Sequence, residues 1–91
     1  MRIVVLTLEF FSSRRVHAPH GSPEDDALRR VLRQLGRDRF PVPGPHDIET
    51  LRTPFERIWS RPVPDTNLVV IYVITPVAIK MTSVHPAYRA V

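Results

Sequence analysis

Ninety-one residues and 10.5 kDa allow one domain around one small core, and 43% hydrophobic against 24% charged residues exclude wholesale disorder. The absence of cysteine excludes a disulfide framework, an iron–sulfur cluster, a thiolate zinc site and a cysteine nucleophile, and it suits a cytoplasmic protein. Thirteen basic residues, twelve of them Arg, stand against nine acidic ones; the net charge of +4 invites an acidic partner, but a GC-rich coding sequence is the favoured explanation for the Arg and the ten prolines.

Arg2–Phe11 is rich in β-branched and aromatic residues without clean alternation, and it reads as a strand covered on both faces. Ser12–Ser22 is polar, with Pro19 and Gly21, and reads as a loop. Ser22 then stands as an N-cap, Pro23 as the first helical residue and Asp25 where a capping-box acid belongs. Leu28, Val31, Leu32 and Leu35 follow at i, i+3, i+4 and i+7, which predicts a helix of roughly 13 residues with one apolar face. Gly36 is placed to end it in a left-handed conformation. Arg29, Arg30, Arg33 and Arg37 gather on the opposite face, with Asp25–Arg29 and Asp26–Arg30 one turn apart.

Arg37–Pro45 holds three prolines and a glycine and reads as a stiff connector. Ile48, Leu51, Phe55 and Ile58 recur at helical spacing, interrupted by Pro54, and Thr53-Pro54-Phe55-Glu56 repeats the cap-Pro-x-acid pattern. A short helical turn at 47–52 and a fresh helix from Pro54 to Ser60 are predicted. Arg61–Asn67 is a proline-rich turn. Asn67–Thr75 is the strongest strand, and beyond Pro76 the alternation of Val77, Ile79 and Met81 with Ala78, Lys80 and Thr82 predicts a half-exposed edge strand. With no turn-length gap between them, the step at Thr75–Pro76 reads as a bulge or a kink in one long strand. Residues 84–91 read as a tail.

The elements add up to an α/β (α+β) domain in the order β-α-α-β-β, with a small two- or three-stranded sheet. Two helical segments cover only one face of such a sheet, while Ile3–Leu8 and Leu68–Ile74 look buried on both. A homodimer that pairs or stacks two sheets is the expected solution. The longest apolar stretch, Leu68–Ile79, contains Pro76 and is shorter than the about 20 residues that span a bilayer, so no membrane contact is expected.

Several constellations bear on chemistry. Ser12, Ser13, Arg14 and Arg15, with His17 and His20 nearby, offer two hydroxyls and two guanidiniums to a phosphate or sulfate. Neither a GxGxxG nor a GxxxxGK[ST] pattern accompanies them. His17, His20, His46 and Asp47 match no zinc spacing, so no metal and no cofactor is expected. Ser12 or Ser13 could pair with a histidine and with Glu9, Asp47 or Asp65, but no G-x-S-x-G elbow marks a nucleophile, which leaves an enzyme unsupported. The Arg face of the helix, extended by Arg14 and Arg15, is suited to a phosphate backbone or an acidic protein surface. Trp59, Phe55 and Phe40 are candidate anchors for a partner. The expected function is a non-enzymatic module that docks an acidic macromolecule. The alternatives are a nucleotide- or anion-binding domain using the 12–20 loop, and a structural subunit docking through the edge at Val77–Thr82.

Overall fold

The computed structural model describes residues 3–37, 43–54 and 56–87. The chain runs β1 (Ile3–Leu6), α1 (Leu8–His17), α2 (Pro23–Leu35), β2 (Ile48–Arg52), β3 (Arg57–Pro62), β4 (Leu68–Ile74) and β5 (Ala78–Pro86). β2 to β5 form an antiparallel meander, and β1 joins its far side parallel to β5, so the sheet order is β1-β5-β4-β3-β2. The expected two- or three-stranded sheet in the order β-α-α-β-β is therefore corrected to a five-stranded mixed sheet with two helices. One chain supplies every strand, and no second copy is needed to complete the sheet.

Each correction has a local cause. The first strand stops at Leu6 because Thr7 switches the chain into α1. Its hydroxyl accepts from the Phe10 N–H at 3.2 Å and donates to the Met81 carbonyl at 2.9 Å, capping the helix while tying it to β5. Residues Leu8–Phe11, read as strand, and Ser12–His17, read as loop, are thus one helix that buries Phe10.

The helices expected at 47–52 and 54–60 are instead the hairpin β2–β3. A β-bulge between Glu49 and Leu51 breaks the two-residue alternation, so Ile48 and Leu51 share a sheet face at a spacing that mimics a helical turn. Thr53 does cap something, but it is the hairpin loop: its hydroxyl accepts from the Glu56 N–H at 3.0 Å and its own N–H donates to the Glu56 carbonyl at 2.9 Å.

Pro76 is neither bulge nor kink. With Val77 it makes a two-residue hairpin closed by the Thr75 N–H on the Ala78 carbonyl at 2.9 Å. The strand that follows lies between β1 and β4, so Val77–Thr82 presents no free edge and the docking strand expected there is ruled out. Residues 84–86, expected in the tail, belong to β5, and Val84 is fully buried.

α2 follows its sequence closely. Ser22 accepts from the Asp25 N–H at 3.1 Å, Pro23 opens the first turn, and Leu28, Val31 and Leu35 are buried. Gly36 departs from expectation: it stays right-handed at φ −80°, and its N–H returns to the Leu32 carbonyl at 3.2 Å.

Phe10, Leu28, Val31 and Leu35 pack with Val70, Tyr72, Ile79, Met81 and Val84 into the core between the helices and one face of the sheet. Strand register places Ile3, Val5, Ile58 and Ile71 on the other face, with Val69, Val73, Ile48 and Leu51. Neither helix covers that face.

Candidate anion-binding site

Two buried carboxylates, Asp25 and Asp47, each gather arginine side chains. Asp25 occupies the first turn of α2, where Ser22 caps the helix, and its side chain is 2% exposed. One carboxylate oxygen accepts from Arg14 Nη2 at 2.7 Å and Nε at 3.2 Å; the other accepts from Arg29 Nε at 3.1 Å and the Gly21 N–H at 3.3 Å. Gly21 reaches this position with φ +84°, a left-handed conformation that favours glycine. The hydrogen bonds from Arg14 hold the Asp25 carboxyl below its ordinary pKa, against the opposing effect of burial.

Asp25 thereby orients guanidiniums from two different helices. Arg14 and Arg29 line a cavity of about 280 Å³ together with Phe11, Arg15, Ala18 and His20. An adjoining open cleft is lined by Arg14, Arg29, Leu32 and Arg33. Four guanidiniums line these two spaces with one carboxylate, Asp25, which bonds to two of them, so the lining carries a formal excess of three positive charges. His20 Nδ1 lies 3.1 Å from Arg29 Nη2 and extends the polar rim.

The second carboxylate, Asp47, is saturated. It accepts from Arg61 at 2.7 and 2.8 Å, from the Gly44 N–H at 2.7 Å and from the Tyr72 hydroxyl. Burial pushes its carboxyl up, but the bonds from Arg61, Tyr72 and Gly44 outweigh it and hold the pKa below the ordinary value. A Cβ at Gly44 would stand 2.8 Å from Arg61 Nη2, so a side chain there would displace the guanidinium from its place on Asp47. This group pins the segment before β2 onto β3 and β4. The cavity beside it, about 430 Å³, is lined by Val31, Gln34, His46 and several prolines.

Arg14, Arg15 and Arg29 line one cavity, and Arg14, Arg29 and Arg33 line the cleft beside it. Arg30 and Arg37 are exposed on α2 and beyond its end and line neither arginine cavity. Ser12 is exposed on α1, whereas the Ser13 hydroxyl accepts from the Val84 N–H at 3.0 Å and donates to the Phe10 carbonyl at 3.0 Å, tying α1 to β5. Trp59 packs against the core from β3 with Arg57 4.9 Å from its ring centroid, and its buried indole N–H has no hydrogen-bond partner. Phe40 and Phe55 lie outside the described residues. Among the described residues, no three His, Asp or Glu side chains gather to hold a metal ion, and no helix is long and apolar enough to cross a membrane.

Sequence reasoning missed the organising role of Asp25 and the place of Phe11. Asp25 read as an ordinary first-turn acid, and Phe11 read as strand. A reading of Thr7 as a helix cap would have placed Phe11, Arg14 and Arg15 in register. No family model, curated protein or solved structure matches the chain.

Proposed function

We propose that the protein is a non-enzymatic interaction module that docks an acidic macromolecule on the arginine cluster of α1 and α2. The observation that carries the reading is the double use of Asp25. One shielded carboxylate fixes Arg14 and Arg29 from two helices, at 2.7 and 3.1 Å, beside a cavity shared with Arg15. Preorganised guanidiniums lose little side-chain entropy on meeting phosphate or carboxylate oxygens.

Between the acidic classes, single-stranded nucleic acid uses more of the surface. Phe11, 45% exposed, lies in the same cavity and offers a face on which a base stacks while the arginines take phosphates. An acidic protein surface would use the arginines alone. The working unit in this reading is a homodimer, which doubles the number of clusters on one particle.

Fluorescence anisotropy of a labelled single-stranded oligonucleotide across a salt series tests the assignment. Affinity is expected to fall steeply with salt, and Arg15→Gln/Arg33→Gln should reduce the log–log slope by about 1.4, about 0.7 for each phosphate no longer neutralised. Phe11→Ala should weaken the oligonucleotide but not a polyglutamate competitor. Absence of binding to either polyanion at low salt refutes the proposal.

A further inference from the structure

An antiparallel sheet with one face in water ordinarily alternates apolar and polar side chains. Here β4 is apolar on both faces: Val70 and Tyr72 point into the core, while Val69, Ile71 and Val73 point away from it. Paired register extends the second set across the whole sheet. Val5, Lys80, Val73, Ile58 and Leu51 form one row through all five strands, and Ser83, Ile71, Ser60 and Ile48 form the next through four. At the margins Ile48 is 65% and Leu51 55% exposed. An aliphatic surface of this extent, interrupted only by Lys80, Ser60 and Ser83 within these two rows, marks an interaction surface.

We propose that a second copy of this chain covers this face, with the two sheets stacked about a two-fold axis. The inference rests on the homodimeric reading above and is independent of the arginine cluster. It differs from completing the sheet, since each chain already supplies five strands.

Size and charge select this occupant. Five strands at ~4.8 Å spacing and about six residues at ~3.3 Å give a footprint of roughly 24 by 20 Å. That planar footprint, about 480 Å² before side-chain relief is counted, is more than half of the ~800 Å² that each partner contributes to a standard interface. A single helix, ~10 Å across, would cover less than half of that width, whereas another sheet covers all of it.

Lys80 is the only formally charged side chain on the strands of this face among the described residues. The face therefore carries no charge pattern to select a different protein and is complementary to itself. A two-fold axis along β4 sets β5 over the partner's β3, so each Lys80 lies over isoleucine and serine. With sheets ~10 Å apart, the two Lys80 Cα atoms are then about 14 Å apart and are offset sideways by two strand spacings, so neither ammonium lies directly over the other.

Sedimentation equilibrium of the whole chain, up to about 100 µM, reads the outcome directly. The wild type is expected at twice 10.5 kDa. Ile48→Gln/Leu51→Gln should raise the dimer dissociation constant about tenfold, and Ile71→Gln more. If Ile71→Gln fails to fold, the Ile48/Leu51 pair keeps the test, because both side chains are already exposed in the single chain. A 10.5 kDa particle throughout, or an oligomer indifferent to all three substitutions, overturns the proposal. Arg15→Gln/Arg33→Gln should leave the mass unchanged, and Ile48→Gln/Leu51→Gln should leave oligonucleotide affinity per chain unchanged, so the two readings fail separately.

Discussion

Asp25 and Asp47 begin alike and end differently. Each is almost fully shielded, each accepts a glycine N–H, and each is clamped by arginine. Asp47 meets one guanidinium that is 12% exposed and a tyrosine hydroxyl, so the group closes on itself. Asp25 meets two guanidiniums that remain 21% and 44% exposed, with Arg15 and Arg33 close by. The number of cations gathered by a buried carboxylate separates a staple from a docking site. With one cation the charges cancel; with two or more, the carboxylate positions an excess that is still accessible to an anion.

Substitutions can break this contrast, beginning with the largest effect. Asp47→Ala should cost about 3 kcal/mol or more in urea-determined stability, because it strips a buried carboxylate from Arg61, Tyr72 and Gly44 at once. Asp25→Ala should cost less, roughly 2 kcal/mol, since solvent screens Arg14 and Arg29. The oligonucleotide titration then sharpens the distinction: Asp25→Ala should change affinity and Asp47→Ala should not.

The same pair governs the acid limb. Both carboxyls titrate below their unfolded values, so their stabilisation is fully present above about pH 4 and is lost as pH falls through the folded pKa. Thermal melts between pH 2 and 7 should show the wild type converging on Asp47→Ala as pH drops, because the mutant already lacks that contribution.

Ser13→Ala should cost about 1–2 kcal/mol by leaving the Val84 N–H without its acceptor, measurable as a shift in the urea midpoint. Smallest of all, Arg15→Gln/Arg33→Gln should move stability by no more than about 0.5 kcal/mol while weakening polyanion binding.

Where the chain signalled its own structure locally, the sequence was readable. Ser22, Pro23 and the apolar spacing from Leu28 to Leu35 specify α2 without reference to anything distant. Leu68–Ile74 announces a buried strand by composition alone. Elsewhere a local pattern had two meanings. Thr53 with Glu56 makes the same hydroxyl-to-N–H bond in a hairpin loop that a helix cap would make. The Ile48–Leu51 spacing belongs equally to a helix and to a bulged strand. Thr7 is the converse: its helix cap was present in the sequence, hidden within a run of residues that favour strands.

The sequence by itself determined one amphipathic helix, one central strand, an arginine-rich helix surface and the absence of thiol chemistry, because each follows from residue type and near-neighbour spacing. Tertiary structure decided which arginines act together, since Asp25 must draw Arg14 across from another helix. It also decided that β5 is interior and that neither helix covers the outer face of the sheet. Strand order and facing are set by pairings between residues up to 75 positions apart, such as Ile3 with Ala78, and no local spacing encodes them.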